Sequence, residues 1–304
     1  MSQIYPGNYK FTWKDVPKVG TWVENMVPSI GSVIMFGPAG TGKTTLAANM
    51  LNSVITGQQF LGRMTSQTNG MLLSLDTPKN ILVRRWLESK PPFDNHFSFA
   101  AYDPFDCLHP DFKKSNTYKE IKDHVKDHHI RLVAVDSLRD CFHGELTNDE
   151  MPKEVYGTFQ EWFSGATVIF LHHTRKQQFV NGKPLEGNID DEATGSKFWI
   201  NKAQVALYLR KQNNFTLRLD MGKSQCFAPW NEPIQISVND MEMEEFDDQK
   251  ATGMRQQFNA AVSYLSSLDM KWSSYKVKEQ VELVAQHLKI TERQAWRMRA
   301  ASRN

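Results

Sequence analysis

Four residues at fixed spacing, Gly37, Gly42, Lys43 and Thr44, set the chemistry this chain is equipped for. They sit in GPAGTGKTT, residues 37–45, between the apolar run SVIMF and the helix-compatible stretch TTLAANMLNSVI. Gly37, Gly40 and Gly42 let successive backbone N–H groups turn toward one point, and a helix starting behind them adds the positive end of its dipole. Such a cradle fits phosphate oxygens. Lys43 reaches the terminal phosphates, the Thr44 hydroxyl joins the shell of a Mg²⁺ ion, and Pro38, Ala39, Thr41 and Thr45 complete the loop. The ligands this pattern calls for are ATP and magnesium.

Three further positions stand where strands end. Asp136 closes the apolar run LVAV, the place for a carboxylate that holds Mg²⁺ opposite Thr44. Asp76 closes LLSL, where it either polarises the water that attacks the γ-phosphate or starts the turn into the next helix. His172 and His173 end the run ATVIFLHHT, and this tandem pair marks a sensor of the γ-phosphate, assigned to His172. The long polar stretch 175–199 follows. Lys176, Lys183, Lys197 and Lys202 are placed to meet the phosphates of a single DNA strand, and Phe198 or Trp199 to stack on its bases. Asp190, Asp191 and Glu192 support a second reading, a solvated lid.

The elements that must position these residues follow from periodicity. Short apolar runs at 70–76, 96–102, 131–137 and 166–174 read as buried strands, and the segments starting at Pro78, 118–129 and 149–164 as helices. Alternation of this kind builds an α/β fold with a mostly parallel sheet and ligands at the carboxyl ends of its strands. The runs at 203–211, 215–221 and 233–239 read as antiparallel additions.

With 304 residues, the chain accommodates one α/β domain and a small appendage. Its net charge of +2 is too small to argue for a nucleic-acid partner, yet the charge is unevenly spread. Residues 240–250 carry a net −5 and residues 254–304 a net +5. The expected division is therefore a core at 1–240, an acidic linker at 241–253 ending in Thr252 and Gly253, and a helical domain at 254–304. Three scattered cysteines, no membrane-length apolar run and no signal-peptide core lead to the expectation of a reducing, cytoplasmic setting with no membrane partner.

The tail reads as three short helices, the last opened by Thr291 and Gln294 at capping-box spacing. The tight connection before it makes the pair a candidate helix-turn-helix, with Arg293, Gln294, Arg297 and Arg299 toward a DNA groove, although Lys289 stands where such turns carry glycine. A protein partner, such as a neighbouring subunit or an initiator, suits the same pattern.

Several segments together resemble the RecA-like core of hexameric replicative helicases, most of all the small, primase-free ring helicases of plasmids and phages. They are the loop after SVIMF, LLSLD followed by P-x₅-RRW, LVAVDS, FLHHT, the turn Thr194 to Ser196, and GKSQCFAPWNEPI. The likeness spans about residues 20–240. It implies a RecA-like P-loop NTPase core, a homohexameric ring hydrolysing ATP between subunits while drawing in one DNA strand during replication, an initiator or primase partner for the tail, and a plasmid- or phage-encoded origin in a bacterial host. The same resemblance implies a cation acting from the neighbouring subunit, for which Arg210, Arg218 and Lys223 are candidates and Lys223 and Arg210 are favoured. Where that family carries a catalytic glutamate, this chain has Asp76, one methylene shorter. Two other functions fit the motifs: a recombination or strand-annealing ATPase filamenting on single-stranded DNA, and a nucleotide-switched DNA-binding regulator or loader.

Overall fold

Runs of β-branched and aromatic residues too short for helices, separated by amphipathic segments, leave this chain one way to bury its apolar surface: helices laid on a sheet. The structure, a computed structural model, describes residues 20–89, 97–101, 103–144, 150–174, 179–180, 183–184, 197–212, 216–239, 242–245, 248–268 and 272–301. Contacts divide the chain into two compact units, Met1–Leu209 with Asp220–Asn231, and Arg210–Leu219 with Glu232–Asn304.

The first unit opens with a small antiparallel pair, β1 (Thr21–Val23) and β2 (Val27–Pro28). There follow β3 (Gly31–Gly37), α1 (Lys43–Thr56), β4 (Asn69–Ser74), α2 (Lys79–Ser89) and β5 (Phe97–Ala101). Next come α3 (Asn116–Asp127), β6 (Ile130–Asp136), α4 (Met151–Trp162) and β7 (Thr167–His173). The short pair β8 (Phe179–Val180) and β9 (Lys183–Pro184) precedes α5 (Phe198–Lys202) and β10 (Val205–Lys211).

Six of these strands form one parallel sheet in the order β10-β3-β7-β6-β4-β5. The insertion of β7 between β3 and β6 matters most for the site. Every strand from β3 to β7 lies within two residues of its expected position. Strand β10 corrects the sequence reading: it was expected to be antiparallel, yet Val205 to Tyr208 pair parallel with Val33 to Phe36. The start of this pairing is anchored one residue upstream. The Gln204 side chain accepts from the Ser32 backbone N–H at 2.6 Å and the Gln204 N–H donates to the Ser32 carbonyl at 2.9 Å, so both strands start at the same edge.

Alternation assigns each strand residue to a face. Ile34, Phe36, Met71, Leu73, Val133, Val135, Val168 and Phe170 share one apolar cluster with Tyr118, Ile121 and Val125 of α3 and Val155, Phe159 and Trp162 of α4. At roughly 1.5–3 kcal/mol for each large apolar side chain removed from water, this layer dominates the unit's stability. Helix α3 starts where Ser115 accepts from the Tyr118 N–H at 3.1 Å, and it buries positions 118, 121 and 125 at helical spacing. Helix α1 covers the other face, where its Leu51 and Ile55 come directly against Gly70.

The second unit holds the first part of β11 (Thr216–Ser224), whose Thr216 to Leu219 pair antiparallel with β12 (Ile234–Asn239), as expected, and β12 pairs antiparallel with β13 (Glu242–Glu245). Helices α6 (Asp248–Leu268), α7 (Val277–Leu288) and α8 (Glu292–Ala301) follow, with Phe258, Ala261, Val281, Val284, Ala285, Ala295 and Met298 forming their core. Within the stretch expected to be a linker, 242–245 is a strand, and Thr252 and Gly253 lie inside α6 rather than at a flexible end. Pairing with β12 and the apolar face of α6 outweigh the local acidity. The capping reading of α8 holds, since the Gln294 N–H donates to Thr291 Oγ1 at 3.2 Å and the Thr291 N–H to Gln294 Oε1 at 2.9 Å. Lys289 caps α7 in the left-handed region, with φ 55, a conformation in which glycine is the unstrained residue. Among the described residues no helix is long and apolar enough to cross a membrane.

Candidate active site

The phosphate loop leaves the sheet at the end of β3. A Cβ on residue 37 would collide with the carbonyl oxygen of Leu209 on β10, so the adjoining strand admits only glycine there. Gly42 caps α1 with φ 88, which turns the backbone from loop into helix in a conformation that a side chain would strain. The Thr41 hydroxyl donates to the Pro38 carbonyl at 2.8 Å and fixes the turn between them.

Lys43 is 5% exposed, and its ammonium donates to the carbonyls of Gly37 and Pro38 at 2.8 and 2.9 Å. Burial pulls its pKa down to about 8, against the opposing pull of Asp136 and Asp76, so it remains a cation at neutral pH. Thr44 Oγ1 donates to Asp136 Oδ2 at 2.7 Å. Asp136 is 2% exposed, and burial lifts its carboxyl to about pH 6 despite the Thr44 hydrogen bond; Asp76 adds to the lift and Lys43 opposes it. A hydroxyl and a buried carboxylate in contact form an all-oxygen donor pair of the type magnesium takes, and a divalent cation would offset the burial of that charge. The residues therefore fit Mg²⁺ held by Thr44 and Asp136, where the ion supplies charge neutralisation for the triphosphate.

Asp76 follows the end of β4, beside β6, and its N–H donates to the Asp136 carbonyl. Its side chain is 38% exposed, and one oxygen accepts from the Thr77 hydroxyl at 2.7 Å. A cleft of about 540 Å³ opens next to it, lined by Thr77, Lys79, Asp103, Pro104 and Asp140 among others. Three carboxylates, Asp76, Asp103 and Asp140, line that cleft against one lysine, Lys79, so it is acidic on balance and open to water. Asp76 is thus a carboxylate with solvent on one side and the metal aspartate on the other. That position suits a base for water, and the Thr77 contact shows that it also shapes the turn.

The tandem histidines divide across the sheet. His173 lies opposite Gly37 in the β3–β7 register, and its Nδ1 is 3.3 Å from Lys43 Nζ. Its Nε2 is 4.0 Å from Asp76 Oδ2. Burial and the neighbouring Lys43 push its pKa below the usual histidine value, against the pull of Asp76 and Asp140, so the ring is neutral at neutral pH. A neutral ring accepting from Lys43 at Nδ1 carries its hydrogen on Nε2, toward Asp76. His172, the residue assigned from sequence, faces the other way: it is 1% exposed, with its ring 6.2 Å from that of Trp199. Period-two alternation carried the signal that one of the two must turn from the loop, but only the register says which.

Other assignments change too. Lys223, favoured as a cation acting on a neighbouring subunit, donates to the carbonyls of Ile200, Asn201 and Ala203 at 3.1, 2.6 and 2.8 Å, closing the end of α5 in its own chain. Arg210 and Arg218 are half-buried. Trp199, one of two candidate base-stacking residues, is fully buried against Phe142 at 5.5 Å, whereas Phe198 is 41% exposed between exposed Lys197 and Lys202. Lys176 and the turn at 194–196 lie outside the described residues, as do the side chains of Lys183, Arg293 and Arg297.

A family model for the AAA domain matches residues 14–178, more than half of the chain. This protein belongs to that family. It is an AAA-type P-loop ATPase, and the matched span holds the loop, Asp76, Asp136 and both histidines. No curated protein matches the chain.

Proposed function

We propose that this ATPase is a ring helicase that binds ATP with Mg²⁺ between the subunits of a homohexamer and moves along single-stranded DNA during replication. The observation that carries the reading is His173, which stands on the strand inserted between β3 and β6 and touches Lys43 while facing Asp76. A group so placed responds to the γ-phosphate from Lys43 and to hydrolysis from Asp76, and the chain continuing from β7 leads to the lysine-bearing stretch expected to meet DNA. Lys43 binds the terminal phosphates, Asp76 takes the proton of the attacking water, and Asp136 with Thr44 holds the metal. Arg210 is the proposed cation acting across the subunit boundary, and Lys223 donates to carbonyls at α5 of its own chain. The proposed partner of the tail is DNA, or an initiator or primase.

Electron microscopy of the stained protein with ATP and a single-stranded oligonucleotide tests this. Closed six-membered rings support the helicase. Open helical filaments favour the recombinase reading, and nucleotide-dependent dimers the switch. In parallel, Lys43→Ala should abolish ATP turnover, and Asp76→Asn should keep nucleotide binding while losing hydrolysis. Turnover unchanged in Asp76→Asn would reduce Asp76 to a turn residue.

A further inference from the structure

On the side of the first unit away from the phosphate loop, α3 ends in two histidines one helical turn apart. The rings of His124 and His128 lie 4.2 Å apart between centroids, tilted by 39°. Their backbone is fixed from two directions: the His128 N–H donates to the His124 carbonyl at 3.0 Å, and the His128 carbonyl accepts from the Asn69 side chain at 2.6 Å. Asn69 is the first residue of β4, so the sheet itself holds the helix end in place.

We propose that His124 and His128 form a two-nitrogen chelate for a divalent transition-metal ion of borderline softness, with Zn²⁺ and Ni²⁺ as suitable occupants. Residues at i and i+4 share a helix face, and metal–nitrogen distances of about 2.0–2.1 Å need two ring nitrogens within roughly 3–4 Å of each other. The ring centroids stand 4.2 Å apart, and rotation about the side-chain bonds can bring one nitrogen of each ring within that reach. The half-negative end of α3 adds a field that favours a cation, and Asp127 lies close enough to act on His124. Burial and His128 hold the His124 pKa below its usual value, leaving the imidazole neutral and able to bind metal at neutral pH. Imidazole pairs select zinc, nickel and copper over magnesium, which separates this site from Thr44 and Asp136. Among the described residues no group of three or more His, Cys, Asp or Glu side chains converges on a point, so the protein gives two ligands and water completes the shell.

The test is tag-free protein titrated with Ni²⁺ and followed by thermal melting and by calorimetry. The expected result is one equivalent bound, with Tm raised by about 2–4 °C at saturation. Binding and shift should vanish in His128→Ala and in His124→Ala, and persist in His129→Ala and Asp136→Asn. His128 is exposed, so its replacement leaves the fold intact. Absence of binding to the native chain, or binding undiminished in both chelate variants, overturns the proposal. So does binding lost in Asp136→Asn alone, which would place the ion at the ATP site.

Discussion

His172 and His173 are neighbours in the chain and differ in everything else. Replacing His173 by alanine should cut ATP turnover by about 10²-fold with little change in Tm, because the ring is partly exposed and touches Lys43. His172→Ala should instead lower stability by about 2–3 kcal/mol, through the cavity left beside Trp199, while turnover per folded molecule stays close to normal. Melting curves and turnover assays on the two variants check the pair. Asp136 invites a pH experiment. In the folded chain its carboxyl holds its proton to about pH 6, against an ordinary value of 3.8. Below pH 3.8 both states are protonated and the group is neutral to stability. As pH rises toward 6 the unfolded chain ionises first, so the fold loses about 3 kcal/mol, and the loss is complete above 6. Asp136→Asn should therefore melt higher than the native chain at pH 7.5 without nucleotide, the gap closing toward pH 4, while magnesium-dependent turnover is abolished. Lys43 and Thr44 were legible from their spacing after Gly37 and Gly42, and Asp76 and Asp136 because each follows or closes an apolar strand run. The choice between two adjacent histidines was not, since it depends on which β7 residue pairs with Gly37.

At the level of elements, the order of strands and helices in the first unit follows from apolar runs and breakers, which are local properties. Strand direction is not local. Nothing in VALYLRK tells parallel from antiparallel; its direction appears only in its register on β3, whose start is anchored by the contact of Gln204 with Ser32, 172 residues away in sequence. The role of Lys223 is equally remote from its own segment, because its partners are carbonyls at the end of α5. Lys223→Met should leave those carbonyls without their cation and destabilise the chain by about 1–3 kcal/mol, measured by urea or thermal unfolding. A fall in turnover with unfolding unchanged would restore Lys223 as a cation that serves another subunit.

For the whole molecule, the acidic stretch at 240–250 contains the strand 242–245 and the start of α6 at Asp248, so a run of like charge does not by itself exclude regular structure. Assembly makes its own prediction. If active sites are shared between subunits, mixing native chain with Lys43→Ala should depress turnover more steeply than the diluted fraction of native subunits, whereas independent sites would give a straight line. One contact bears on descent as well as chemistry. The Leu209 carbonyl excludes any side chain at position 37, whether or not a nucleotide ever enters. In a lineage that abandoned ATP, Lys43 and Thr44 would be free to drift, yet the glycine at 37 would survive as a relic of the neighbouring strand.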